Sequence, residues 1–327
     1  MTALEHAVEA GDLDELVRMV DHLCDTGDWN GLVELRDRSR AAVRRGKQLW
    51  PAASLAEYRI ALDAPGKWAG AVLVEGAGRF ALGPLAEVAA STHRWEELAP
   101  YLPAGPPAGL AAHERVVRGE DLTGDDRVDA TVLDVPLRLE PWEPTYPVAT
   151  YHPDRAELPP PPAPALRAET LTAAPRPGDD PQAVQALLAL VDRWVTESNG
   201  RAEAVAVGGD ARAAITALGH RHVRLAPVAA ADAVALMAWA GASGGAHGRR
   251  RGSATGRFGA WWALAAVAGM LDAWPVPSDE LGVVANELGW YVWQPDKRAV
   301  GWHLHLAVED LDEGLAWALT ATDSADA

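Results

Sequence analysis

Residues 202–245 read "AEAVAVGGDARAAITALGHRHVRLAPVAAADAVALMAWAGASGG", and the fold turns on how this stretch is divided. "AEAVAVGG" and "HVRLAPV" are short Val-rich runs bounded by glycine and polar residues, which favours strand. "DARAAITALG" and "AADAVALMAWAGASGG" are longer and rich in Ala, Leu and Met, which favours helix. Strand alternating with helix points to a sheet with helices packed on it. Downstream, "FGAWWALAAVAGML" and "SDELGVVANELG" read as helices, "WYVWQP" and "GWHLHLAV" as a hairpin, and "DLDEGLAWALTA" as a closing helix. Upstream, Asp180-Pro181 supplies an N-cap with proline at the first helical position. Val184, Leu187, Leu188, Val191, Trp194 and Val195 then form an apolar stripe that ends at Asn199-Gly200. Residues 181–327 are therefore expected to form a C-terminal α/β or α+β domain with a small mixed sheet. The helices at 229–243 and 257–271 are apolar around their circumference, as buried helices are. The second is too short to span a bilayer.

Working outward, residues 1–122 read as helix throughout. In "GDLDELVRMVDHL" (11–23), Leu13, Leu16, Val17, Val20 and Leu23 recur with helical spacing, and Asp12 or Asp14 can stabilise the helix start. Variants return as "GDWNGLVEL" (27–35) and "HRWEELAPYL" (93–102), without a fixed period. The expectation is an all-α array of irregular, solenoid-like hairpins that resembles tetratricopeptide-like or HEAT-like stacks. Residues 123–180 change character. "ATVLDVPLRLEPWEPTYPVATYHP" is extended and interrupted by proline, and "ELPPPPAPALRAETLTAAPRPGDD" favours polyproline II. This segment is the expected linker.

The chain carries 46 acidic against 29 basic residues, a formal charge of −17. That balance argues against nucleic acid or an anionic membrane as partner, and any anion site must be a local basic island. The single cysteine, Cys24, cannot close an intrachain bridge, and "MTALEHAVEAGDLDEL" lacks a basic region followed by an apolar core, so a cytoplasmic protein is expected. Arginine outnumbers lysine 26 to 3, a bias that makes arginine identity alone uninformative.

One island exists. "GGAHGRRRGSATGR" (244–257) places four arginines and five glycines between two apolar helices, and no acid occurs from Ala233 to Leu271. Glycines allow close backbone approach, a helix N-terminus favours negative charge, and arginine forks suit phosphate or carboxylate. The expected anion-binding residues are His247, Arg249, Arg250, Arg251, Ser253, Thr255 and Arg257. The competing reading is a surface turn whose arginines pair with the chain's own acids. "GRRRGS" has three residues between its glycines and no lysine, so it is not a P-loop.

Other motifs carry less. "GASGG" (241–245) matches G-x-S-x-G with Ser243 as nucleophile and Asp296 with His303 or His305 following in hydrolase order, but an elbow needs a preceding strand. His220 with His222, and His303 with His305, are i, i+2 pairs that a strand would place on one face. With Trp302, Leu304, Leu306 and Val308 on the core face, His303, His305 and Glu309 face solvent or a covering element; solvated histidines are expected, and no metal is expected. Arg36, Arg40, Arg44 and Lys47 line one face of the third helix, where solvation or internal pairing is the simpler reading. Asp310 with Glu313 reads as a capping box. The tryptophans near the C-terminus suggest core or interface.

"AWAGASGGAHGRRRGSATGRFGAWW" and "GWHLHLAVEDLDEGLAWAL" resemble an actinobacterial family of uncharacterised proteins, a domain of unknown function. The resemblance covers about the last 150 residues and implies no activity. The sequence thus favours a binding or scaffold protein without cofactor, its helical array docking a protein partner and its Arg/Gly loop holding a small anionic ligand or an acidic segment. The alternatives are an enzyme on a phosphate- or carboxylate-bearing substrate, with His247 or His303 as acid–base, and a serine hydrolase at Ser243.

Overall fold

The computed structural model describes residues 2–296 and 301–324. It divides into two compact units, and the chain passes between them more than once: residues 1–133 and 149–157 form the first, residues 134–148 and 158–327 the second.

The first unit is helical, as its periodicity requires. Its helices are α1 (Ala3–Ala10), α2 (Leu13–Thr26), α3 (Trp29–Arg44), α4 (Trp50–Asp63), α5 (Gly66–Ala71), α6 (Leu85–Thr92), α7 (Trp95–Leu98) and α8 (Pro106–Val117). Side chains of Thr2, Asp12 and Asp28 cap the first three, each accepting a bond from the backbone N–H three residues on. α4 is buried on nearly every side, with α3 and α6 packed against it. Arg40 pairs with buried Glu57, Arg36 with Asp37, and Arg45 and Lys47 with Glu9. Among the described residues, the basic stripe of α3 is thus largely paired internally. A two-stranded ribbon, β1 (Thr150–Tyr151) with β2 (Ala156–Glu157), returns to this unit, where the Tyr151 hydroxyl donates to buried Glu87 at 2.5 Å.

The second unit contains β3 (Arg167–Thr170), α9 (Pro181–Ala189), α10 (Asp192–Thr196), β4 (Arg201–Gly208), α11 (Ala211–Ala217), β5 (His222–Val228), α12 (Ala230–Ala242), α13 (Ser253–Val267), α14 (Ser278–Glu287), β6 (Gly289–Pro295), β7 (Trp302–Asp310) and β8 (Leu315–Asp323). The mixed α and β composition follows the sequence reading, but two details are corrected. The sheet runs β3-β5-β6-β7-β8-β4 with every neighbouring pair antiparallel, not mixed. β4 and β5 do point the same way, as a strand–helix–strand unit should, but the β6–β7–β8 meander lies between them. Second, "DLDEGLAWALTA" is not a helix. Residues 311–314 turn, and β8 follows with β7 on one side and β4 on the other. Both faces of β8 are covered, so its side chains form a continuous apolar run, and such a run does not distinguish strand from buried helix. Asp310 still accepts from the Asp312 and Glu313 amides, in a turn rather than a helix cap.

α11 covers one face of the sheet through Ala211, Ala214 and Ile215, which meet Val207, Leu225, Trp293 and Ala318. α12 and α13 pack extensively against each other. A Cβ at Gly256 would collide with Ala238 O and Ala242 of α12, so that glycine sets the approach. Residues 134–148, expected as linker, are anchored in this unit. Glu143 accepts from Arg257 Nε and Nη2, each at 2.7 Å, from Trp261 Nε1 at 2.8 Å, and from the Glu140 amide at 2.8 Å. Arg257 also donates to Pro136 O and Arg138 O. The side chains of Arg257 and Glu143 are 1% and 0% exposed. Burial alone would raise the Glu143 pKa, but the bonds and charge of Arg257 outweigh it and hold the carboxyl below its usual range.

Replacing Arg257 with Met should therefore lower stability by about 3–5 kcal/mol in denaturant unfolding, because it strands a buried carboxylate. Replacing Glu143 with Met as well should recover much of that loss. The Glu143 contribution should be complete above its unfolded pKa of about 4.3 and should disappear as pH falls through its lower folded value.

Candidate functional site

Residues 244–252 form the loop between α12 and α13, which begins at Ser253 with Gly252 as its N-cap. The loop backbone is already engaged. Ala246 N–H donates to Asp323 at 2.6 Å, His247 N–H to Ser198 Oγ at 3.1 Å, Arg249 N–H to Glu197 at 3.1 Å, and Arg251 N–H to Ala242 O at 2.9 Å. A Cβ on Gly244 would strike Gly248, one on Gly245 the Asp323 carboxylate, and one on Gly248 the Gly244 carbonyl. The glycines allow this tight packing against α10 and β8, and these four amides do not form an open anion cradle.

The arginines divide. Arg257 points away from the loop into its pair with Glu143. Arg249, Arg250, Arg251 and Thr255 line an open pocket of about 380 Å³ together with Arg193 and Glu197, which pair with each other. His247, Ser253 and Arg257 do not line it, and Ser253 is buried in the first turn of α13. Arg193 was not anticipated. Its place on the polar side of α10, four residues before Glu197, gave no sign that it would meet a loop more than fifty residues away. Arg251 is half-buried, and among the described residues its side chain has no hydrogen bond or ion pair. Burial, and then the charge of Arg193, push its pKa down, while Asp192 acts in the opposite sense.

Ser243 is not placed as a nucleophile. It is the C-cap of α12, 1% exposed, donating to Ala240 O at 3.0 Å and accepting from Trp194 Nε1 at 2.9 Å. A helix, not a strand, precedes it, and His303 and His305 bond to other groups.

His305 does not face solvent, because β7 is covered on both sides; His303 and His220 are half-buried, and His222 on β5 is exposed. His305 is 2% exposed, with Nδ1 within 3.0 Å of Thr320 Oγ1 and Nε2 without a partner among the described residues. Burial, then the charges of His303 and His220, push it down to about 3. Glu309, read as facing solvent or a covering element, is buried against α11 and accepts from the Ala211 amide and the Tyr291 hydroxyl. His220 packs on Trp293 with ring centres 5.0 Å apart, and His222 lies within 3.3 Å of Thr170 Oγ1. Among the described residues no group of three His, Cys, Asp or Glu side chains is arranged to hold a metal.

His303 and His305 instead border a cavity of about 600 Å³. The β6–β7 ladder runs from Gly289–Glu309 to Val292–Leu306 and stops there, while β6 continues along β5 to Pro295. The hairpin therefore splays, and Trp293, Gln294, His303 and His305 lie at the opening. Opposite are Asp232, Leu236 and Trp239 of α12 and the proline run 160–164. The helical face was legible from its i, i+4, i+7 spacing, whereas the splay that makes it a cavity wall was not. An acid–base catalyst needs a pKa near the working pH, and His305 lies far below it.

No helix among the described residues is long and apolar enough to cross a membrane. A family described only as a family of unknown function (DUF6183) matches residues 14–325, well beyond the 150 residues anticipated. No curated protein and no solved structure matches the chain.

Replacing Ser243 with Ala should cost about 1–3 kcal/mol, since it leaves the buried Trp194 N–H unpaired; the melting temperature measures this. His305 is neutral when folded and gains a proton on unfolding below about pH 6.5. Its contribution should thus be complete above pH 6.5 and be lost as pH falls toward 3, and a His305→Gln variant should show a flatter profile across that range.

Proposed function

The chain belongs to the family of unknown function DUF6183, and on that premise we propose that it is a binding protein whose second unit holds a small anion in the pocket of Arg249, Arg250 and Arg251. Arg251 is the observation that carries this reading. A half-buried guanidinium beside the like charge of Arg193, with no partner among the described residues, is an unfavourable arrangement that a bound phosphate or carboxylate would relieve. Arg193 and Thr255 extend the same wall, and the pocket is a local cationic site on a chain of charge −17. Hydrogen-bonding arginine side chains replace the backbone cradle expected from the glycines. The single, partly buried Cys24 suits a reducing compartment, and we place the protein in the cytoplasm. The first unit, a stack of capped helices, is assigned the docking of a protein partner.

Inorganic phosphate should raise the melting temperature at constant ionic strength, because a ligand bound only to the folded state stabilises it. Added sodium chloride should weaken the effect. Arg251→Gln should lose most of the response and, without phosphate, be at least as stable as the parent, since it removes an uncompensated charge. A variant that is clearly destabilised without phosphate, combined with an unresponsive parent protein, would show that Arg251 pairs within the chain and would sink the reading.

A further inference from the structure

The 600 Å³ cavity is separate from the arginine pocket, and its lining has the opposite charge. Its volume lies in the range of small-molecule sites. Leu158, Leu166, Val228, Leu236 and Val292 supply apolar walls. Trp239 and Trp302 stack with ring centres 5.0 Å apart and planes 13° from parallel, giving a flat aromatic surface. The facing wall is the proline run 160–164, a stiff segment with few backbone donors. It is tied down where Trp239 Nε1 donates to Leu158 O at 3.3 Å and where β3 joins the sheet edge. The walls are therefore ordered before any ligand arrives, which reduces the entropic cost of binding.

The polar groups identify the occupant. Among the described residues lining the cavity there is no lysine or arginine, and the one carboxylate is Asp232. Asp232 is exposed and makes no hydrogen bond or ion pair among the described residues. It does not cap its helix either: the N-cap of α12 is Ala229, and no side chain caps it. At the splayed hairpin, His303 Nδ1 lies 3.1 Å from Gly301 O and its Nε2 lies 3.3 Å from Gln294 Nε2. With Nδ1 donating to the carbonyl and Nε2 accepting from the amide, the Gln294 carbonyl oxygen remains available as an acceptor. The Asp232 carboxylate and the Gln294 carbonyl are thus open acceptors at the cavity, while Trp293 Nε1, a donor, and His305 Nε2 have no partner among the described residues. Asp232 is the one carboxylate among these groups. Asp232 and Trp239 are seven residues apart on one face of α12, a separation of about 10 Å along the axis.

We infer that this cavity binds an organic cation: an amine whose flat, apolar body lies between the tryptophans and the proline run, with its ammonium group at Asp232. An ammonium group supplies a charged donor for the exposed Asp232 carboxylate, and that charge-assisted bond provides preference over neutral compounds of the same shape. The net negative charge of the chain favours approach of such a ligand.

The test compares 2-(2-naphthyl)ethylamine with the neutral 2-(2-naphthyl)ethanol by titration calorimetry on the full chain. The amine should bind roughly tenfold more tightly, about the contribution of one charge-assisted contact. Asp232→Asn should bring the two affinities together, and Leu236→Trp, which fills the cavity from α12, should abolish both. Circular dichroism of each variant confirms that the fold is retained. Equal affinities in the parent protein, or an amine preference that survives Asp232→Asn, would overturn the assignment of a cation. Failure of both compounds to bind, or binding unchanged in Leu236→Trp, would overturn the cavity as a site. Neither result would bear on the arginine pocket, which the naphthyl compounds do not address.

Discussion

The buried pair between Glu143 and Arg257 is the constraint on which the second unit depends. It joins a proline-bearing excursion, residues 134–148, to the second turn of α13, and neither side chain has water to fall back on. A charge taken out of solvent is tolerable only when it is paired and its remaining hydrogen-bonding capacity is filled. The Trp261 indole, the Glu140 amide and two backbone carbonyls meet that requirement here. Fixing Arg257 in this way also fixes the start of α13, and with it the loop that leads in from α12.

The same placement separates two kinds of arginine that look alike in sequence. Arg257 has its guanidinium enclosed, whereas Arg251, six residues earlier, is only half-buried and faces Arg193. The loop between them is held by Asp323, Ser198 and Glu197 through its amides. Rigidity in that backbone gives the arginine side chains a defined wall to project from, while removing those amides from any role in binding an anion.

Trp194 lies between the two pockets. It contacts Trp239 and Trp302 edge-on at 5.9 and 6.2 Å and donates through Nε1 to Ser243, the C-cap of α12. Gly245 of the arginine loop packs against the same indole. One side of this aromatic cluster thus supports a cationic pocket and the other an apolar cavity with an acidic mouth. A sheet buried on both faces makes that possible, since α11 covers one side and α12 the other.

The sequence by itself determined the helical character of residues 3–117, because caps at Thr2, Asp12 and Asp28 and apolar stripes at helical spacing are local signals. It also determined α11, α12, α13 and the β6–β7 hairpin, where propensity and periodicity agree. Tertiary structure decided the rest. "DLDEGLAWALTA" became a strand because β4 and β7 were there to pair with it, and no property of the segment alone distinguishes that outcome from a buried helix. β4 and β5 are separated by a meander because hydrogen-bonding partners are chosen across the whole sheet. The Arg/Gly island was visible as composition, yet which arginine would be enclosed depended on Glu143, 114 residues away. Asp232, Leu236 and Trp239 were legible as one helical face. Only the splay of β6 from β7 turned that face into a cavity wall, because it depends on where a ladder of backbone bonds stops, and side-chain pattern carries no record of that.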